Sequence, residues 1–93
     1  MKKINLKKLT VYGSIDKTNR MICDITKDLA DYIYLNTNGI ANHALALKIY
    51  NSEGTIEINE EEEELLKQDI QSLKPCVIDA IMNALEDNTN NKN

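Results

Sequence analysis

The stretch NEEEEELLKQDIQSLKPCVIDAIMNALE, residues Asn59–Glu86, decides most of the predicted fold, because it carries start and stop signals for two helices. Asn59 lies three residues before Glu62, a spacing that predicts a capping box at a helix N-terminus. The glutamates in between favour the positive end of the helix dipole. Pro75 fits the first turn of a second helix, where its missing N–H would have no partner. The stretch therefore predicts a pair of helices separated near Pro75.

The second helix of this pair has the most regular apolar face in the chain. Four apolar residues recur at spacings of three and four and so share one side of the helix: Ile78, Ile81, Met82 and Leu85. We expect this side to pack in the core, with a contact surface for a partner as the alternative. The helix should end near Asp87, so that 1–87 form a single compact domain and 88–93 a disordered polar tail.

Upstream of this pair, alternating apolar and polar residues predict short β-strands. Residues 4–12 and 20–25 alternate in this way, with a turn or bulge at Lys7–Lys8, and the polar link Asp16–Asn19 suits a hairpin. Thr55–Ile58 is a third alternating segment. An unpaired strand is a template for pairing, so we expect it to join the hairpin or the same strand of a second copy.

Two further helices are predicted between these strands. The first runs over 27–36 with Thr26 as its N-cap, and its inward residues are Leu29, Tyr32, Ile33 and Leu35. The second, 41–51, is apolar on nearly all sides and should be the most buried helix. The whole pattern predicts an α+β fold, in which an N-terminal β-hairpin and one short strand form a small antiparallel sheet packed with about four helices.

Charge is distributed unevenly along the chain, which has a net charge of -4. Residues 60–64 are all glutamate, whereas the N-terminal segment supplies a candidate basic patch: Lys2, Lys3, Lys7, Lys8 and Arg20. This patch favours, as an alternative function, a nucleic-acid-associated regulator. Overall acidity and the lack of a recognition-helix pattern make nucleic acid the less favoured partner.

Neither catalysis nor a bound metal or cofactor is indicated by the sequence. It has no glycine-rich phosphate loop, no CxxC pair and no HExxH motif. Cys76 follows Pro75 at a predicted helix start, where a thiol can be activated, and His43 is the one histidine that could assist it. A small packed side chain is the simpler interpretation of Cys76. We therefore predict a protein that is not an enzyme and has no cofactor.

The expected location is the cytoplasm, without membrane association. Asn5, Lys7 and Lys8 interrupt any apolar core of a signal peptide, and no apolar run is long enough to span a bilayer. A domain of this size has a thin margin of stability, and self-association is one way to increase it.

The run GIANHALALKIYNSEGTIEINEEEEELLKQDIQSLKPCVIDAIMNALE, Gly39–Glu86, resembles small uncharacterised proteins of phages and integrated mobile elements. The shared features are an Ala/Leu-rich helix ending in KIY, a short G-x-I-E-I strand, an acidic helix start and a final apolar helix after a proline. These features are architectural, so the resemblance implies a phage or mobile-element setting and no active site.

The favoured function is a small non-catalytic protein-interaction or assembly module whose partner is an unknown protein or a second copy of itself. Its candidate interface combines the stripe of the last helix with the short strand: Ile78, Ile81, Met82, Leu85, Thr55, Ile56 and Ile58.

Overall fold

The computed structural model describes the backbone of residues 2–90 and the side chains of residues 2–86. The elements of this part of the chain are β1 (Lys2–Asn5), β2 (Leu9–Tyr12), β3 (Arg20–Cys23), α1 (Thr26–Asn36), α2 (Ile40–Tyr50), β4 (Thr55–Ile58), α3 (Glu60–Asp69), a 3-10 helix (Ile70–Ser72) and α4 (Pro75–Asn90). The predicted α+β class is confirmed, with small antiparallel sheets and four α-helices among these residues.

The strands form two separate two-stranded sheets where the sequence predicted one. β2 and β3 make the predicted hairpin, whereas β4 pairs with β1, placing Ile56 opposite Ile4. The cause is the predicted turn near Lys7, whose backbone N–H donates to the Asn5 side chain at 3.0 Å. This turn divides the segment 4–12 into two strands with different partners.

The loop of the β2–β3 hairpin is held by its own polar side chains. Gly13 N–H donates to the Asn19 carbonyl at 2.6 Å, and the hydroxyls of Ser14 and Thr18 each donate to Asp16 at 2.8 Å. These hydrogen bonds hold the pKa of Asp16 below its ordinary value. Lys17 closes the turn with a φ of 64°, a left-handed conformation that side chains other than glycine adopt at a cost.

α4 packs on β1 and β2 in a single core that also includes residues of α1, α2, β4 and α3. Ile81 and Leu85 of the apolar stripe are buried there, so the expected role of the stripe in the core is confirmed for these two. α4 continues to Asn90, so the predicted end of the helix near Asp87 is wrong. The remaining tail residues, 91–93, lie outside the described residues.

α1 and α2 pack against each other and differ from the prediction in three ways. Thr26 is the first buried residue of α1 instead of its N-cap, because Asp24 accepts its backbone N–H at 3.0 Å. This bond to Thr26 is the main reason why the pKa of Asp24 lies below its ordinary value. Leu35 is 75% exposed, and α2 buries only Leu45, Ala46 and Ile49. α2 is thus a surface helix.

The predicted capping box of α3 is confirmed. The Asn59 side chain accepts the backbone N–H of Glu62 at 2.8 Å, and Glu62 accepts that of Asn59 at 2.9 Å. Lys48 on α2 also donates to Glu62 at 3.0 Å and so fixes α3 against α2. Burial raises the pKa of Glu62, but the Asn59 N–H and Lys48 outweigh it and leave that pKa below its ordinary value.

Candidate functional site

An apolar surface is exposed on the outer side of α2. Ile40, Ala44 and Leu47 follow each other at helical spacing and so share one face, where Ile40 is 87% and Leu47 48% exposed. The face continues to Tyr50 at the end of α2 and, across the pair, to Tyr34 of α1. We call these five residues the α1–α2 surface: Tyr34, Ile40, Ala44, Leu47 and Tyr50.

Two contacts that involve aromatic rings join α1 and α2 beside the α1–α2 surface. The Tyr34 and His43 rings lie 5.7 Å apart between centroids, and the Lys27 ammonium lies 5.3 Å from the centre of the Tyr50 ring. The charged Lys48 of α2 points elsewhere, towards Glu62. Apart from the exposed His43, which lies one turn from both Ile40 and Leu47, the centre of the surface is apolar, and the charged Lys27 lies at its rim.

The sequence analysis missed this surface because α2 was expected to be the most buried helix. A helix of a 93-residue protein that is apolar all round carries more apolar side chains than one core-facing stripe requires. That excess was the available signal.

The residues predicted as an interface lie largely elsewhere. Ile58, Ile81 and Leu85 are buried in the core, and Ile56, Ile78 and Met82 are half-buried. Thr55 is exposed, at the end of β4 opposite Asn5. Most of this set therefore holds the chain together and leaves little of its apolar area for a partner.

The predicted basic patch is divided by the fold. Lys2 donates to Glu63 of α3 at 2.9 Å, and Lys7 acts on Asp24, whose pKa it helps to lower. Lys3, Lys8 and Arg20 instead line one groove of about 510 Å³ between the strands and α4, together with Lys17, which was not in the predicted patch. We call these four residues and the cavity they line the basic groove.

The basic groove adjoins a second cavity of about 660 Å³ at the N-terminal end of α4. The two share Tyr12, Lys17 and Asn83 as lining residues, and Lys74 and Cys76 belong to the second. The Lys17 ammonium lies 5.7 Å from the centre of the Tyr12 ring. The two cavities therefore adjoin and form a depression along α4.

The residues considered for chemistry are not brought together. Cys76 is exposed, against the simpler prediction of a packed side chain, and lines the cavity beside α4. His43 lines a different cavity with Tyr34 and Thr37. Within the described part of the chain, no three His, Cys, Asp or Glu side chains are grouped to hold a metal ion.

Comparisons with protein-family models, with curated proteins and with solved structures found no match to this chain. The resemblance of residues 39–86 to phage proteins therefore stays a prediction. Among the described residues, none of the helices is both long and apolar enough to cross a membrane.

Proposed function

We propose that this protein is a small, non-catalytic assembly module that pairs with a second copy of itself through the α1–α2 surface. The observation that carries the proposal is the exposed stripe of α2, where Ile40 and Leu47 face solvent on a helix whose opposite side packs in the core. Exposed contiguous apolar surface of this kind marks interaction sites in soluble proteins.

The chemistry of the surface favours a second copy as the occupant. In a two-fold interface the same patch of each copy meets, so a rim that carries both signs of charge allows opposite charges to face each other. The exposed residues Lys27 and Asp31 on α1 supply both signs beside Tyr50 and Tyr34. A rim cation of one copy can therefore meet a rim carboxylate of the other.

Self-association would also add to the stability of a small chain. Pairing would cover the apolar area of Ile40, Leu47 and Tyr50, which are exposed in the single chain. Each Å² of apolar area removed from water favours pairing by about 25 cal/mol, before the free-energy cost of association is subtracted. The cytoplasmic location and the phage or mobile-element setting accompany this proposal as predictions from the sequence.

The test is the molar mass in solution, measured by light scattering behind a sizing column over a range of concentrations. We expect a dimer for the wild type and a monomer for Leu47→Lys, since a buried ammonium without a partner would oppose the contact. Ile22→Lys is the matched control, because Ile22 is an exposed isoleucine on β3, outside the α1–α2 surface. It should keep the wild-type mass.

A wild-type monomer at all concentrations would overturn the proposal. So would dissociation by Ile22→Lys with no effect of Leu47→Lys, which would place the contact on the hairpin. Circular dichroism of both variants confirms that any loss of mass is not a loss of fold.

A further inference from the structure

We propose that the basic groove binds the sugar-phosphate backbone of single-stranded nucleic acid. This function is independent of the proposed pairing, because the groove lies between the strands and α4 and shares no residue with the α1–α2 surface.

The first support is the convergence of cations from separate parts of an acidic chain. Lys3 comes from β1, Lys8 from the turn after it, Lys17 from the hairpin loop and Arg20 from β3. The net charge of the chain is -4, so its overall charge does not account for this concentration of positive charge. The fold itself produces it.

The second support is what these cations contact. Three lysines outside the basic groove form ion pairs: the ammonium groups of Lys2, Lys48 and Lys67 each lie within 3.0 Å of a glutamate carboxylate of α3. Among residues 2–86, by contrast, Lys8, Lys17 and Arg20 form no ion pair with a carboxylate. Phosphate oxygens are natural partners for such groups, and arginine can bind them through two parallel hydrogen bonds.

The backbone at Lys17 gives a third support. Glycine would adopt its left-handed conformation at less cost, yet a lysine stands there and its side chain lines the groove. The hydrogen bonds among Ser14, Asp16 and Thr18 hold that turn in place. The lysine at this position therefore lowers the stability of the loop relative to glycine and places a cation in the groove.

The shape of the depression favours a strand over a duplex. Ala80 and Ala84, one turn apart on α4, are small and leave the groove open. From Pro75 to Ala84 the depression follows α4 for about 14 Å, with the basic groove beside Ala80 and Ala84 and the Asp79 carboxylate in the second cavity. The cations line a concavity that a thin strand enters more easily than a double helix.

The Lys17 ammonium lies over the Tyr12 ring, and a base can stack on this ring when that ammonium moves to a phosphate. Tyr12 lines both cavities, so a strand that follows α4 passes over it. Stacking on an aromatic side chain contributes to single-strand binding without demanding a particular base. We therefore expect little sequence preference and a strong dependence on salt.

The test uses the full chain and a fluorescein-labelled oligothymidylate of about ten nucleotides, with binding followed by fluorescence anisotropy. The logarithm of the affinity should fall with the logarithm of salt concentration with a slope of about -2 to -3 for three to four phosphate contacts. Lys8→Gln should weaken binding about fivefold to tenfold at about 50 mM salt and reduce the slope by about 0.7.

Lys7→Gln is the matched control, because Lys7 is the neighbour of Lys8 in the chain but does not line the groove. Its charge instead helps to lower the pKa of Asp24. This substitution should change the affinity less than twofold. Lys17→Gly gives a second readout that separates binding from folding: it removes a groove cation and the costly backbone conformation together. Its affinity should fall while its unfolding temperature stays the same or rises.

Three results would each overturn the proposal: no binding at about 50 mM salt, equal weakening by Lys7→Gln and Lys8→Gln, or tighter binding of a duplex of the same length. Competition identifies the ligand. Displacement of the oligonucleotide by polyglutamate or by inorganic phosphate at equal charge concentration would also contradict it, since the groove would then accept any anion. None of these results would bear on the proposed dimer, because oligonucleotide binding and molar mass test different surfaces of the protein.

Discussion

Two regions of this protein use their positive charges in opposite ways. Around α3, Lys2 and Lys67 both contact Glu63, and Lys48 contacts Glu62. In the basic groove, Lys8, Lys17 and Arg20 lie together without a carboxylate partner among residues 2–86. Basic side chains therefore form ion pairs within the fold around α3, whereas in the basic groove they can bind an anion from outside.

This comparison shows that the sequence does not tell which basic residues form ion pairs within the fold and which line a groove. Lys2 and Lys3 are adjacent on β1, yet the strand directs alternate side chains to opposite faces. Lys2 meets the acidic helix and Lys3 lines the groove. The basic segment that the sequence presents as one patch therefore contains a lysine in an ion pair within the fold and a lysine that lines the groove.

The largest expected effect comes from two isoleucines in strands of the two regions. Ile58 in β4 is 1% exposed beside α3, whereas Ile22 in β3 is 61% exposed on the hairpin. Ile58→Ala should lower the free energy of unfolding by about 2–5 kcal/mol, because it leaves a cavity in the core. Ile22→Ala should change it by no more than about 0.5 kcal/mol. Urea denaturation measures both, and equal losses would contradict the burial of Ile58 in the core and the exposure of Ile22 on the hairpin.

The next effect concerns the start of α3. Asn59→Ala removes the side-chain acceptor of the capping box and should lower the free energy of unfolding by about 0.5–2 kcal/mol. Asn59→Asp keeps an acceptor there and should retain wild-type stability. Thermal unfolding of the two variants tests this, and a loss in Asn59→Asp equal to that in Asn59→Ala would show that the hydrogen bond is not the cause.

The smallest effect separates two lysines of the predicted basic patch. Lys2→Gln should lower the free energy of unfolding by about 0.2–1 kcal/mol at neutral pH and low salt, since it removes an ion pair with Glu63. Lys8→Gln should leave stability unchanged. A stability loss in Lys8→Gln as large as that in Lys2→Gln would remove the distinction between the two regions.

The Lys2 effect should depend on pH in a defined direction. The hydrogen bond from Lys2 is the main reason why the pKa of Glu63 in the folded protein lies below its ordinary value of 4.5. A lowered carboxyl pKa stabilises the fold above about pH 4.5 and loses that contribution as the pH falls through the folded value. The difference between wild type and Lys2→Gln should therefore shrink below pH 4.5. Asp69, whose pKa burial raises, contributes with the opposite sign in both proteins and cancels in the difference.

Local signals account for the parts of the fold that were predicted well. The Asn59–Glu62 capping box and Pro75 at the start of α4 depend on neighbours within a few residues, and both are confirmed. Strand and helix order followed from periodicity for the same reason. The turn near Lys7 was also readable, because Ile4 and Leu6 alternate out of phase with Leu9.

The errors have one physical origin, which is that burial depends on what packs against an element. Periodicity showed that α2 is apolar but not that its partners cover only the side of Leu45 and Ile49. Likewise, alternation predicted β4 but not whether it would pair with β1 or with the hairpin. Leu35 is 75% exposed for the same reason. Thr26 is the local exception, because the nearby Asp24 accepts its backbone N–H.

The sequence by itself determined the fold class, the order of the elements, the capping box of α3 and the apolar stripe of α4, because each depends on interactions between residues close in the chain. Only the tertiary structure decided which strands pair, which face of α2 meets water and which lysines converge in the groove. These outcomes join residues far apart in sequence, such as Lys2 with Glu63 or Lys3 with Arg20. Their proximity depends on how the whole chain packs, which no local pattern of residues records.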